Sequence, residues 1–303
     1  MTANSGVSCS FMLACPTDRA RLEIEGDAAR CPICGCVYAR TNQIWRFVDH
    51  RLAPYENFLA TYRVVRRAEG WGSHDAAYYC NLPQTSRDDP QAAIWRVRAA
   101  SFKKLVALVE PGARLLDVGA GNGWLSYQFA RRGHAVAALD LNDDAREGLG
   151  AQNFYPLPLD CYQADFDHLP FDAAQFDVVI FNASLHYSRN LTQTLNEAWR
   201  VLKPNDKLIV MDSPLYRQRA SGKAMLREKA NEFQSRYGLE MDRTMRGFLT
   251  FDDFQQSVCA WQWYPTRVDW RWALRPLRAR ALGQREPAQF GVTVGKPPAA
   301  RWT

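Results

Sequence analysis

The chain has 303 residues, 47% hydrophobic and 23% charged, with a formal net charge of +6. Those proportions are ordinary for a water-soluble globular protein, and no apolar run approaches the roughly 20 residues that span a bilayer. The N-terminus carries neither a basic leader nor a long apolar core, so a cytoplasmic location is expected. The mild positive charge permits an anionic partner, nucleic acid included, without requiring one.

Composition divides the chain into residues 1–50, 51–91 and 92–303. The first region holds Cys9, Cys15, Cys31, Cys34 and Cys36, together with short strand-like runs such as Arg21–Glu25. In a cytoplasmic chain such crowding points to metal binding before disulfides. Residues 51–91 are rich in aromatics, among them Tyr62, Trp71 and Tyr79, and end in a polar stretch from Pro83 to Pro90. This segment is expected to form a lid or linker.

From residue 92 onward strand and helix patterns alternate, as βαβ units with a parallel sheet require. A helix is expected over Ala92–Val109 and a buried strand over Arg114–Val118, followed by a glycine turn and a helix through Arg132. Ala135–Leu139 reads as the second strand and Phe176–Phe181 as a central one, being continuously apolar. A helix over Leu191–Val201, a strand over Lys207–Met211 and a last strand over Phe290–Val294 complete the pattern. Between them, Trp261–Arg285 interleaves tryptophans with arginines. That pattern suits a late strand with a basic edge, a nucleic-acid surface or an anionic membrane surface.

The strongest local signal is Leu115-Leu-Asp-Val-Gly-Ala-Gly-Asn-Gly-Trp124. Glycines between a strand and a helix let backbone approach a ligand closely. A dinucleotide loop would need a third glycine at the position held by Trp124, so a nicotinamide cofactor is not expected.

The segment resembles motif I of the class I S-adenosylmethionine (SAM)-dependent methyltransferases, and the resemblance continues in order over about residues 92–296. Asp140 closes the second strand, where the family's carboxylate grips the ribose hydroxyls. Gln163–Phe171 resembles the loop in which Asp165 meets the adenine amino group beside Phe166. Phe176–Tyr187 resembles motif IV, and Asn196–Asn205 the helix and turn before strand five, with Asn205-Asp206 replacing the usual two glycines. The resemblance implies an α/β, doubly wound, Rossmann-like seven-stranded sheet with SAM as cofactor. The implied cofactor residues are Asp117, Gly119, Ala120, Gly121, Asp140, Leu141, Asp165, Phe166 and Asn182. By position, Trp95 and Arg98 are added at the methionine end, Arg98 by pairing with a carboxylate.

Residues 13–18 and Cys31-Pro-Ile-Cys-Gly-Cys36 resemble the knuckles of the zinc-ribbon proteins that activate tRNA methyltransferases. The first knuckle has Asp18 where a cysteine belongs. Zinc on Cys15, Asp18, Cys31 and Cys34 is chemically allowed. Cys9 or Cys36 as fourth ligand, and a ribbon that has lost its metal, are the alternatives.

His186 and Tyr187 follow strand four at the carboxyl edge of the sheet, where such folds bind ligands. They are the expected catalytic residues, His186 as a proton acceptor. Tyr62, Trp71 and Tyr79 are the expected acceptor-pocket walls. Motif IV reads Asn182-Ala-Ser-Leu and lacks the Asn/Asp-Pro-Pro-Tyr/Phe quartet of base-amino methyltransferases. The sequence therefore favours a small-molecule acceptor, as in the type 11 branch. An RNA methyltransferase and a non-catalytic SAM-binding scaffold are the competing expectations.

Overall fold

The computed structural model describes residues 11–48, 51–255, 259–266 and 270–297. Cys9 and Arg267 lie outside them. Four short strands open the chain: β1 (Glu23–Glu25), β2 (Ala28–Arg30), β3 (Val37–Thr41) and β4 (Ile44–Arg46). The aromatic segment forms α1 (Glu56–Ala68) and α2 (Ala76–Asn81). The alternating region then gives α3 (Ala92–Val106), β5 (Arg114–Val118), α4 (Trp124–Ala130), β6 (Ala135–Asp140), β7 (Asp160–Gln163) and β8 (Phe176–Asn182). It continues through α5 (Leu191–Val201), β9 (Leu202–Met211), β10 (Leu215–Tyr216), α6 (Arg219–Tyr237), β11 (Leu249–Thr250) and α7 (Phe251–Gln255). The C-terminal part is β12 (Ala260–Pro265), α8 (Trp270–Ala281) and β13 (Gly291–Lys296).

The main sheet runs β1-β2-β3-β4-β7-β6-β5-β8-β9-β13-β12. Its seven C-terminal members match the expected doubly wound sheet, with β13 antiparallel between β9 and β12. The expected total of seven strands is corrected, because the sheet does not stop at β7. Parallel pairing of Ile44, Trp45 and Arg46 with Cys161, Tyr162 and Gln163 joins the cysteine-rich region to it. Eleven strands are the result among the described residues.

The junction is also packed. Phe11 stacks on Phe176 at 4.9 Å, and Leu13, Tyr38, Trp45 and Phe47 share one buried cluster with Leu116, Tyr162, Phe171 and Phe181. Gln175 clamps the incoming chain, accepting from the Met12 N–H at 2.8 Å and donating to its carbonyl at 2.7 Å. Burying aromatic rings on both sides of a join stabilises each of them by ~1.5–3 kcal/mol relative to exposure.

Two local details differ from the sequence reading. The Trp261–Arg285 stretch is a strand followed by a helix. Strand β9 begins at Leu202, ahead of the expected Lys207, and within it Asn205, at the place of the usual glycines, takes φ +68, a left-handed conformation that asparagine tolerates better than most residues. Among the described residues no helix is long and apolar enough to cross a membrane.

Candidate functional site

A cleft opens at the carboxyl ends of β5, β6 and β8, lined by the 119–122 turn, Asp140, Leu141, Phe166, Asn182 and Ala183. Its floor is set by backbone. The Gly119 and Ala120 N–H groups donate to the Leu139 carbonyl at 2.7 and 2.9 Å, pulling the turn across β6. Gly119 has φ +77, and a Cβ built there would lie 2.3 Å from the Ser184 Cβ. Only glycine satisfies both constraints without displacement.

Asp140 accepts from the Gly121 N–H through Oδ2 and the Asn142 N–H through Oδ1, each at 2.7 Å. Burial outweighs those bonds and pushes its carboxyl up to about 6. Asn182 is 8% exposed and its Oδ1 has no hydrogen-bond partner. A buried acceptor left unsatisfied calls for a ligand donor.

Helix α1 covers the cleft and is fixed to the loop after β6 by charge. Arg63 reaches Asn142 at 2.8 Å and Asp143 at 3.0 Å, Arg66 pairs with Glu147, and Arg67 with Asp144 at 2.8 Å. Arg66 also lies 3.4 Å from the centre of the Trp71 ring. Arg98 is held over Trp95 and Trp71, at 4.7 and 5.2 Å from the ring centres. Both guanidinium groups reach the cleft wall.

Beside the cleft lies a cavity of about 760 Å³. Phe58, Tyr62, Arg66, Arg98, Ala183, Tyr187 and Met245 line both spaces, so the two adjoin. Tyr62, Trp71, His186 and Tyr187 all face this cavity. Tyr187 packs between His186 at 4.1 Å, Phe58 at 5.4 Å and Tyr62 at 6.0 Å. Residues from α6 and the 240s loop close the far side, Lys229 among them.

Several expected site residues fall elsewhere. Trp95 is 1% exposed, packed edge-on to Trp71 and Trp124, and lines neither space. Tyr79 is fully buried, stacked on Phe154 at 4.5 Å, with its hydroxyl donating to the Arg146 carbonyl at 3.0 Å. It is a core residue, because its ring packs on Phe154 and Tyr155 and lines neither the cleft nor the cavity.

Asp165 accepts from the Asp167 N–H at 2.8 Å and meets His168 at 2.9 Å, so it braces its own loop behind Phe166. Asp117 sits beneath the glycine turn, accepts from the Ser126 hydroxyl at 2.8 Å, and is pushed up to about 7 by burial. His186, the expected proton acceptor, lines the cavity and is half-buried. Burial, with Lys229 and Arg98 nearby, holds its imidazole down at about 3, which favours the uncharged form at neutral pH. Its Nδ1 lies 3.2 Å from the Ser213 hydroxyl.

The cysteine cluster forms as expected. Donor atoms of Cys15, Asp18, Cys31 and Cys34 all lie within 4.8 Å of one another. Cys15 and Cys34 sulfurs are 3.7 Å apart, and the Cys31 thiol is 3.2 Å from an Asp18 oxygen. Cys36 is outside the cluster. Sequence reading missed Glu147, which anchors Arg66, and Asp212 at the end of β9. The rule that ligands bind beyond the carboxyl ends of parallel strands could have found Asp212.

Residues 116–210 match the family model described as "Methyltransferase domain". That stretch of the chain is thus similar to a methyltransferase domain. Among curated relatives, a malonyl-[acyl-carrier protein] O-methyltransferase of Erwinia pyrifoliae is 32% identical over 42% of this chain and 53% of its own. A 2-phytyl-1,4-naphtoquinone methyltransferase of Synechocystis is 34% identical over 40% of this chain and 52% of its own. The chain thus spans about half the length of these curated relatives. A solved SAM-dependent methyltransferase from Mesorhizobium loti is 18% identical, with TM-score 0.46, over 65% of this chain and 97% of that one. SAM suits the cleft on chemical grounds. The unsatisfied Asn182 acceptor, the Asp140 carboxylate and two wall guanidinium groups fit a ligand carrying amino, hydroxyl and carboxylate groups together.

Proposed function

We propose that this protein methylates a small organic acceptor held in the cavity beside the cleft. The observation that carries the reading is the shared wall: Tyr62, Ala183 and Tyr187 belong to both spaces, so a donor in one faces an acceptor in the other. Bound SAM supplies an electrophilic methyl group. Asp140 holds the ribose hydroxyls, Leu141 and Phe166 flank the base, and Arg98 pairs with the methionine carboxylate. Gly119, Ala120 and Gly121 give the backbone its close approach, and Asn182 takes a donor of the ligand. Asp117 acts from behind the turn as a positioning residue.

Alignment of acceptor and methyl carbon, with water excluded, accounts for most of the rate in such a site. Tyr62, Trp71 and Tyr187 form the apolar walls, and His186, being neutral, orients the acceptor by hydrogen bonding. Methyl-labelled SAM and a cell extract should give labelled product in the low-mass fraction. Label confined to RNA would overturn the small-molecule reading, and no SAM binding by calorimetry would overturn the methyltransferase reading.

The cysteine cluster supports a zinc site made by Cys15, Asp18, Cys31 and Cys34, since thiolates and a carboxylate at such spacing suit tetrahedral zinc. Elemental analysis should find about one zinc per chain, lost in Cys31→Ser. Metal-free protein with an unchanged melting point would leave the ribbon as a packing module.

A further inference from the structure

One buried ionisable group in the cavity has no task in the reading above. Asp212 follows β9, is 8% exposed and lines the cavity. Its Oδ1 accepts from the Ser101 hydroxyl at 2.6 Å, and Ser101 is itself 3.0 Å from the Thr266 hydroxyl. Its Oδ2 is buried with no hydrogen-bond partner. One oxygen is therefore fixed by α3, while the other lacks any protein donor. Asp212 also has φ +54, a left-handed conformation that costs a non-glycine residue ~1–3 kcal/mol. Ala183, across the strand pair at the end of β8, has φ +53 and donates its N–H to the Met211 carbonyl at 2.8 Å. The two strained residues both line the cavity, and Ala183 lines the cleft as well.

Resting on the methyltransferase reading, we propose that Asp212 Oδ2 receives the proton of the acceptor's reacting hydroxyl, so that the acceptor is an apolar, aromatic-sized alcohol, phenol or enol methylated on oxygen. As the acceptor oxygen bonds to the methyl carbon, its O–H bond breaks and the proton passes to Oδ2. The electron pair of the broken carbon–sulfur bond stays on sulfur. Charge is balanced: a cationic donor and a carboxylate become a neutral thioether and a carboxylic acid.

The surroundings select a hydroxyl over an amine. The charged and titratable groups lining this cavity beside Asp212 are Arg98 from α3, Arg66 and Glu69 from α1 and its end, His186 after β8 and Tyr216 on β10, with Lys223, Arg227 and Lys229 from α6, Asp242 and Arg243 from the 240s loop, and the tyrosines Tyr62 and Tyr187. Arg98 favours the ionised form of Asp212, and the six cations of the lining outnumber Glu69 and Asp242, which disfavours a protonated amine and favours an oxygen that turns negative. Burial raises the Asp212 carboxyl to about 6, which leaves it ionised at neutral pH yet far more basic than a solvated carboxylate.

The test uses two simple probes, phenol and toluene, titrated by NMR into full-length protein saturated with S-adenosylhomocysteine. A hydrogen bond to a charged, otherwise unsatisfied carboxylate should make phenol bind about 10-fold or more tightly than toluene at pH 8. The preference should fall severalfold by pH 5, as Asp212 is protonated. In Asp212→Asn the preference should shrink to within about 3-fold and lose its pH dependence, with S-adenosylhomocysteine affinity unchanged. If that variant does not fold, Ser101→Ala should instead move the midpoint of the pH dependence upward, because the ionised form loses a donor. Equal binding of the two probes to wild-type protein would overturn the proposal, as would an undiminished preference in Asp212→Asn. Failure of S-adenosylhomocysteine to bind at all would strike the underlying reading instead.

Discussion

The cleft under the glycine turn and the cavity beside it share a wall but are built from different material. The cleft comes mainly from the turns that follow successive strands between Gly119 and Arg189, and the 119–122 turn is fixed to the sheet by backbone hydrogen bonds. The cavity gathers side chains from α1, α3, α6, the 240s loop and the segment before β13. Backbone geometry tolerates few substitutions, whereas a side-chain wall can be exchanged residue by residue. On the proposed reading the fold separates a fixed donor site from an adaptable acceptor site, and mutations on each side should read out differently.

The largest effect belongs to the cleft. Gly119→Ala puts a Cβ 2.3 Å from Ser184 at a left-handed position, and should lower S-adenosylhomocysteine affinity by at least about 100-fold, the scale of an overpacked and strained site. Calorimetry finding full affinity would mean that the turn gives way and is not the fixed half of the pair. Asp140→Ala should weaken the same ligand by about 10–100-fold through loss of charged hydrogen bonds. Undiminished binding in that variant would remove Asp140 from the ribose role.

Protonation separates the two sides as well. Asp117 and Asp140 in and beneath the cleft are raised to about 7 and about 6 by burial, and Asp212 in the cavity to about 6. Each holds a proton in the folded state that the unfolded chain has already released, so stability falls as pH climbs from the ordinary value of 3.8 towards the folded pKa. His186, depressed to about 3, works the other way: below its ordinary 6.5 the unfolded chain binds the proton, so stability rises with pH. In the cavity the two terms oppose each other, and the net loss comes from the cleft. Melting points of ligand-free protein should therefore fall by several degrees between pH 4.5 and 7, and Asp117→Asn should flatten that slope. A melting point that rises across this window would break the assignment.

The smallest effect on the donor side is expected from His186→Asn. It should leave S-adenosylhomocysteine affinity within about 2-fold while raising the acceptor's KM more than it lowers kcat, as expected for a group that positions the acceptor. A matching fall in kcat without a KM change would return His186 to the chemical step.

The same division explains what was legible in the sequence. Gly119, Ala120, Gly121, Asp140, Leu141, Phe166 and Asn182 could be placed from motif order alone, because a strand followed by a turn fixes where the backbone goes. Tyr62, Trp71, His186 and Tyr187 could be placed near one another because α1 and the turn after β8 are both local elements. Trp95 and Tyr79 were misplaced because an aromatic residue before the first strand serves core and pocket equally well, and only helix rotation decides. For Asp165, motif order did not show that the neighbouring His168 and Asp167 amide engage its carboxylate. Asp212 and Lys229 carry no local pattern at all. They acquire meaning only when β9 and α6 are brought beside β8.

The pairing of β4 with β7 has a consequence for solubility. Without the first 46 residues, β7 would present a row of unpaired backbone N–H and C=O groups along the edge of a mostly parallel sheet, beside the newly bared rings of Tyr162 and Phe171. Such an edge is a template for strands of other molecules. The cysteine-rich region therefore acts as an edge guard: β1 to β4 are short, and the outermost, β1 (Glu-Ile-Glu), ends the sheet in exposed carboxylates that discourage further addition. Damage to the cysteine cluster would then appear as self-association before any loss of the SAM cleft.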